Sequence, residues 1–338
     1  MLTISPTGEF TELRDRVAAA GLLDPRPDHY LVRITVNLAC AAACWTAFAL
    51  VGDSWWQLLV AVALGVTFVW SGFIGHDVGH RQVSRSPRTV RVLGLLHMNL
   101  LIGAAFGWWV AHHNRHHSEP NNLDQDPDTQ RRQVIFDVSE LPAKARTPFR
   151  RFVIRFQSVM FFVLLAQEAW RVHLAGFTAA RAGALRRPWL ELGLVVAHGV
   201  ALVGATVLVL SPLRAVAFLL MSQTVFGVYL GAVFAPNHKG MPVYRSDVEL
   251  DWLHRQVLTA RNVAPGPVTD FLYGGLNYQI EHHLFPGMPR GNLGRARPIV
   301  RAYCAEHGIP YVEVSAWASY REVARFLGSV SEQARCVS

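Results

Sequence analysis

Gly75-His76-Asp77-Val78-Gly79-His80 closes an apolar run with two imidazoles four residues apart, and helical spacing puts both rings on one face. Two clusters answer it downstream: His112-His113-Asn114-Arg115-His116-His117 and Gln279-Ile280-Glu281-His282-His283. Seven of the fifteen histidines fall in the patterns HxxxH, HxxHH and QxxHH. Imidazole is the commonest side-chain metal ligand, and seven rings are more than one four-coordinate zinc can use. The number points to two metal ions.

The setting of these rings follows from composition: 338 residues, 51% hydrophobic and only 17% charged, with 10 Trp and 18 Phe. That is a membrane-protein composition, and no nucleic-acid partner is expected. The net charge of +8 comes from 30 Arg and 2 Lys against 24 acids, almost all the basic residues lying outside the longest apolar runs. Such a surface suits anionic lipid headgroups or acidic carrier groups, and ordinary positive-inside bias accounts for it equally well. Cys40 and Cys44 lie in an apolar run and Cys304 and Cys336 near the C-terminus, with no disulfide framework or CxxC pair. A reducing compartment is expected for the polar part.

Residues 34–52 and 55–75 each have the length of a bilayer crossing, with Asp53-Ser54 as the turn between them, so they read as a transmembrane hairpin. Arg14, Arg16, Arg26 and Arg33 before it, and Arg81, Arg85, Arg88 and Arg91 after it, mark that side as cytoplasmic. Residues 1–30 are too polar for a signal peptide, and Phe10, Leu13 and Val17 recur at helical spacing. In 92–111 only His97 and Asn99 interrupt the apolar pattern, so hydropathy alone predicts a span. A span there would part His80 from His113, so the stretch is read as a buried or re-entrant helix on the cytoplasmic side. Residues 152–166 contain Arg155 and Gln157 and read as interfacial.

A second hairpin covers 189–210 and 213–235, turning at Ser211-Pro212 and ending at Pro236-Asn237-His238-Lys239. His198 inside it is expected to be a neutral ring hydrogen-bonded between helices, although an ionisable group at membrane depth is also a functional candidate. Beyond it, Pro265-Gly266-Pro267 and Pro286-Gly287-Met288-Pro289 are breakers, and helical patterns recur near 298–307 and 316–328. The expected fold is an all-α integral membrane protein forming one domain over 1–338. It has a cytoplasmic segment (1–30), a hairpin (34–75), a cytoplasmic or interfacial histidine region (76–188), a second hairpin (189–235) and a C-terminal cytoplasmic cap (236–338). Four transmembrane helices thus carry a helical cap that holds the histidine clusters, with both termini cytoplasmic.

The order HDVGH, HNRHH, NH, QIEHH, interleaved with two hydrophobic hairpins, resembles the membrane-bound fatty acid desaturases. Gln279-Ile280-Glu281-His282-His283-Leu284-Phe285-Pro286 has the glutamine of the front-end-type subgroup, and the likeness continues through Met288-Pro289-Arg290, Asn292-Leu293 and His307-Gly308-Ile309-Pro310-Tyr311. It covers about residues 70–328.

The resemblance implies a non-haem di-iron centre with O2 as co-substrate. Matched motif by motif, it assigns iron ligation to His76, His80, His113, His116, His117, His282 and His283, and to His238 as the additional histidine. Gln279 stands where other members have a histidine, and is expected to hold a metal-bound water or orient a ring. His112 is expected to support the site rather than bind iron, and Asn237 to contribute a water or ring contact. Asp77, Glu281, Asp124, Asp126 and Asp128 are placed to accept ring N–H groups, with a solvated turn as the alternative for 124–128. His29, His97, His173, His254 and His307 match no motif and are expected to be structural or exposed.

Neutral imidazoles bind iron without adding negative charge, whereas soluble di-iron bundles use Glu-x-x-His, a pattern this sequence lacks. The implied reaction converts two adjacent methylenes of a fatty acyl chain into an alkene; the acyl group could be carried by CoA, acyl carrier protein or a glycerolipid. The His-Pro-Gly-Gly signature of the fused cytochrome b5 domain found in many front-end members is absent, and 30 N-terminal residues are too few to hold one. Electrons are therefore expected from an external donor, a ferredoxin or a cytochrome b5-like protein with its reductase. A lipid hydroxylase or acetylenase could use the same scaffold. A b-type haem protein would need paired histidines within separate spans, and only His198 is so placed; a zinc hydrolase or transporter would need fewer ligands.

Overall fold

The computed structural model describes residues 8–131 and 133–337; residues 1–7 of the expected N-terminal segment lie outside the described residues. In chain order the α-helices are α1 (Gly8–Ala19), α2 (Pro27–Val51), α3 (Gln57–Gly79), α4 (Pro87–Gly94), α5 (Phe106–Ser118), α6 (Leu141–Lys144), α7 (Pro148–Arg155), α8 (Gln157–Leu164), α9 (Glu168–Arg181), α10 (Pro188–Val209), α11 (Pro212–His238), α12 (Trp252–Leu258), α13 (Pro267–Leu272), α14 (Gln279–Leu284), α15 (Arg290–Glu306) and α16 (Ala316–Val337). Two-residue strands β1 (Asn262–Val263) and β2 (Glu313–Val314) pair in parallel. The helices gather into two compact units, one of Met1–Asp24, His112–Val163 and Val233–Ser338, the other of Pro25–Ala111 and Leu164–Ala232.

The second unit is the apolar one. Among the described residues α2, α3, α10 and α11 are the four single helices long and apolar enough to cross a bilayer. Proline at the first turn starts α2 and α10, because its missing N–H costs nothing there. That is why α2 begins at Pro27 rather than at 34. Helix α3 runs on to Gly79, so His76 lies inside its last turn and His80 is the residue that caps it. Leu31, Leu50, Leu59, Val200, Leu208 and Leu213 are exposed, an outward apolar surface that suits lipid rather than water.

Several buried polar side chains inside this unit are anchored by a hydrogen bond, as a low-dielectric interior favours. Asn37 Nδ2 donates to the Thr67 carbonyl (3.2 Å) and Gln57 Nε2 to that of Phe48 (2.7 Å). His198 sits as expected of a structural ring, Nδ1 3.0 Å from the Leu100 carbonyl. Between α2 and α3, Asp53 accepts from the Ser211 N–H (2.8 Å) and pairs with Arg214 (2.7 Å), so the α2–α3 turn and the α10–α11 turn lie together.

The stretch 92–111, expected as one buried or re-entrant helix, is two helices and a break. Helix α4 passes into a π-helical turn over Leu95–Leu100. Gly103, at φ +69°, ends the helix two residues after that turn, and Ala104 N–H donates back to the Met98 carbonyl (2.8 Å), a left-handed glycine stop. Helix α5 then restarts with its first amides satisfied by side chains: Asn99 Oδ1 accepts from Phe106 N–H (3.1 Å) and Glu191 Oε2 from Gly107 N–H (2.7 Å). His97 is fixed by Ser71 Oγ (2.9 Å). The two polar residues that interrupt the apolar pattern are thus engaged at the break.

In the first unit, α1 buries Leu13 and Val17, as its periodicity predicts, in a core with Leu253, Val257, Ile280, Leu284, Val300 and Tyr303. Helices α7 and α8 meet at a sharp bend beside Phe156. They expose Phe149, Phe152, Phe156 and Val159 next to Arg150 and Arg151, the pattern of an interfacial element. Helix α15 starts at Arg290, earlier than the 298–307 pattern, and carries Pro298 within it. Helix α16 extends to Val337 rather than stopping near 328.

Candidate metal centre

Six histidines of the first unit come from three elements. Helix α5 brings His113, His116 and His117, the last turn of α11 brings His238, and α14 brings His282 and His283; all six are buried. Helix α14 is buried at every position from Gln279 to Leu284. It is pinned there by Glu281, whose oxygens accept from Tyr311 Oη (2.7 Å) and Asn262 Nδ2 (2.8 Å), and by Ile280 N–H donating to Asn262 Oδ1 (2.9 Å). Burial pushes the Glu281 carboxyl up, against those hydrogen bonds. Glu281 was expected to accept a ring N–H and does not. It braces the helix because its side chain leaves α14 towards the loop carrying Asn262 and Tyr311.

The rings of His116, His238 and His283 form one group, with ligand atoms mutually within 4.8 Å. Each has its Nδ1 committed. His116 Nδ1 is 3.1 Å from both Asp126 oxygens, His238 Nδ1 3.0 Å from the Thr259 carbonyl and His283 Nδ1 2.9 Å from Gln256 Oε1. These oxygens only accept, so in the neutral rings each Nδ1 carries the proton and each Nε2 a lone pair. The Nε2 atoms of His116 and His238 face each other at 3.3 Å. Lone pairs this close repel unless a cation or a hydrogen-bond donor engages one of them; the set fits a metal ion, with the Gln279 amide as the donor that competes for His238 Nε2. Ligand atoms of His113, His117 and His282 also lie within 4.8 Å of one another, with His113 Nε2 and His117 Nε2 3.1 Å apart.

Asn237 and Gln279 tune this group. Asn237 Nδ2 donates to Gln279 Oε1 (3.0 Å), which turns the Gln279 amide nitrogen to His238 Nε2 (2.9 Å). That N–H takes the lone pair a cation would otherwise take.

The acidic run 124–128 divides its roles. Asp126, fully buried, holds His116 while accepting Asn121 N–H and Asp128 N–H, both at 2.8 Å. Burial is the largest influence and opposes a charge on His116, but the charge and hydrogen bond of Asp126, with the charge of Asp128, together raise the ring's pKa. The same attraction makes the ring a stronger electron-pair donor to a cation. Asp128 faces His112 Nε2 at 3.2 Å. Burial works upward on its carboxyl, yet the His112 hydrogen bond and the charges of His112, His116 and Arg131 hold it well below the usual range. Asp124 is at the surface, paired with Arg245 (2.8 Å). Partner and solvated turn are therefore both realised, at different residues.

In the second unit, His76 and His80 stand with ring centroids 4.7 Å apart, Trp109 5.5 Å from His76. Asp77 Oδ1 lies 3.0 Å from His76 Nδ1. The remaining histidines are structural or exposed: His173, for instance, is held by the Gly103 carbonyl (3.0 Å) and Gln223 Oε1 (2.8 Å).

No sequence motif marks Gln256 or Thr259, which hold the rings of His283 and His238. Gln256 binds His283 and also donates to the His117 carbonyl (3.1 Å). The available signal was its place between Leu253 and Val257, a polar side chain on the buried face of an amphipathic helix.

The family model "Fatty acid desaturase" matches residues 53–315. The chain belongs to the fatty acid desaturase family, and with its four apolar helices it is an integral membrane protein. Among curated relatives, it is 29% identical over 347 residues to an acyl-lipid (9-3)-desaturase of Physcomitrium patens, covering 98% of this chain and 65% of that protein. It is 28% identical to delta(8)-fatty-acid desaturase 2 of Arabidopsis thaliana (97% and 75%) and 28% identical to delta(6)-fatty-acid desaturase fat-3 of Caenorhabditis elegans (90% and 70%). The chain thus spans about two thirds to three quarters of the length of these relatives.

Proposed function

We propose that this chain is an oxygen-dependent desaturase that introduces a double bond into a fatty acyl chain at a di-iron centre. The observation that carries the reading is the convergence of His116, His238 and His283, each with Nδ1 committed and Nε2 turned inward. Family membership and motif order supply the rest of the ligand set: His76, His80, His113, His117 and His282. Iron bound by these rings would supply the chemistry, using two external electrons and O2 to remove hydrogen from two adjacent methylenes.

The chain's own residues then have defined tasks. Asp126, Thr259 and Gln256 hold three rings in one tautomer; Gln279, turned by Asn237, sets whether His238 Nε2 is available. Burial excludes water, and the apolar helices suit an acyl chain. We further propose that α2–α3 and α10–α11 are two transmembrane hairpins, with the metal centre and both termini on the cytoplasmic side. The link from Asp53 to Ser211 and Arg214 supports this arrangement. The arginines flanking the expected spans support the sidedness. Electrons come from a separate redox protein.

The test is expression in a host lipid background with a compatible ferredoxin or cytochrome b5 reductase system, followed by mass-spectrometric location of new double bonds. New alkenes accompanied by about two irons per chain are expected. A hydroxylated or acetylenic product would move the chain to another activity on the same scaffold. Zinc alone in protein purified from iron-replete cells, with no lipid product, would end the reading.

A further inference from the structure

The apolar unit carries a half-open pocket of about 640 Å³ whose lining contains no histidine. Its walls come from the segment after α3, from α4 and the π-helical turn after it, from the first turns of α5, and from the α9–α10 loop and the first turn of α10. Four arginines line it: Arg81, Arg91, Arg186 and Arg187. All four are exposed, and none has an ion-pair partner among the described residues. Four cations around one opening repel one another and call for anions. Glu191 is the one acid in the lining, and it is engaged elsewhere. It is 7% exposed, its Oε2 bonded to Gly107 N–H. A Cβ on Gly107 would stand 2.5 Å from Glu191 Oε1, so the glycine is what lets this carboxylate sit against the α5 backbone.

The rest of the lining is mainly apolar, with Phe106 and Val110 from α5. Trp189, 89% exposed at the first turn of α10, marks the depth of a membrane interface. A cationic rim, an apolar wall and an interfacial level describe an amphiphile: guanidinium groups bind phosphate in bidentate fashion, and the wall would be idle against a soluble anion.

We propose that this cavity seats the headgroup of an anionic membrane phospholipid. The arginines hold the phosphate, and the wall of Phe106 and Val110 takes the glycerol and the first methylenes of the acyl chains. The lining contains none of the residues assigned to iron, and lipid binding is read without turnover, so failure of either proposal leaves the other standing.

Native mass spectrometry of the full chain in detergent, titrated with dioleoylphosphatidylglycerol, dioleoylphosphatidylcholine or inorganic phosphate, tests this. Phosphatidylglycerol is expected to bind about 10-fold tighter than phosphatidylcholine, and the Arg186→Gln/Arg187→Gln variant to lose about 10-fold, the effect of one or two charge-assisted bonds. Ala184→Trp, which fills the cavity without removing charge, should lose a similar factor. Arg295→Gln/Arg301→Gln, on the other unit, should change nothing. Arg91→Gln, a milder change, should lose about 3-fold and provides a reading if the double variant does not fold. Full phosphatidylglycerol binding by Ala184→Trp would reduce the effect to surface charge and overturn the proposal. So would equal binding of the two lipids, or displacement of the lipid by an equal concentration of inorganic phosphate.

Discussion

At Gln256 a single amide does two jobs, accepting from the His283 ring and donating to the His117 carbonyl. Gln256→Leu keeps the volume but removes the ring's acceptor, and metal affinity should fall about 10- to 100-fold, the usual cost of losing a ligand's supporting partner. Asp126→Asn should act alike through His116. His80→Ala, His117→Ala and His283→Ala should go further, abolishing turnover and lowering bound iron while the unfolding temperature of the metal-free protein stays close to that of the parent. An active, iron-replete His283→Ala protein would remove the third motif from the centre. His238→Gln should hold substantially less iron and make no alkene, whereas Asn237→Ala, which frees the Gln279 amide and removes bonds to the Val233 and Leu276 carbonyls, should be milder; elemental analysis and lipid profiling separate the two. Asp128 gives a pH signature. Its carboxyl is held well below the ordinary range, so its contribution to stability is present above about pH 4 and is lost as pH falls through the lowered native value. The destabilisation caused by Asp128→Asn should therefore be seen at pH 7 in metal-free protein and shrink towards zero in acid. A difference that persists at low pH would mean packing, not charge.

The break between α4 and α5 shows where reading a sequence by hydropathy stops. Periodicity located α1, and apolar run length placed α3, α10 and α11 to within about four residues while missing the first seven residues of α2, which lie before the apolar run; these are local signals. The ligand motifs were legible for the same reason: their chemistry is written in side chains a few residues apart. The turn at Gly103 was not, since it depends on Asn99 and Glu191, 92 positions apart, meeting at the start of α5. The bracing role of Glu281 is hidden for a similar reason, its partners being 19 and 30 residues away. Gly103→Val probes the break directly. The residue has φ +69°, and a Cβ there would stand 2.6 Å from the His198 ring and 2.8 Å from His173. The cost should be about 1–3 kcal/mol, read as a lower unfolding temperature; an unchanged value would show that the turn tolerates a side chain. On the proposed topology, in which 92–111 does not cross the bilayer, cysteines introduced by Ser86→Cys and Ser118→Cys should both react with an impermeant thiol reagent from the cytoplasmic face. Labelling from opposite faces would contradict a shared centre.

For the molecule as a whole, metal and fold are linked. Chelation should lower the unfolding temperature, and Fe(II) should restore it, since a ligand at about 100 times its Kd adds about 2.7 kcal/mol. No shift on chelation of iron-loaded protein would mean that the converging rings do not bind the metal. The clasp at Asp53 bears on how such a chain is made. Its partner Ser211 lies 158 residues downstream, and at about 5–20 residues per second a ribosome needs roughly 8–30 s to deliver it. Throughout that interval the first pair of helices must hold together by what is already synthesised: Asn37 on the Thr67 carbonyl and Gln57 on that of Phe48. These short-range bonds make α2 and α3 an insertion unit that waits, with its turn unlatched, for the second pair to be born beside it.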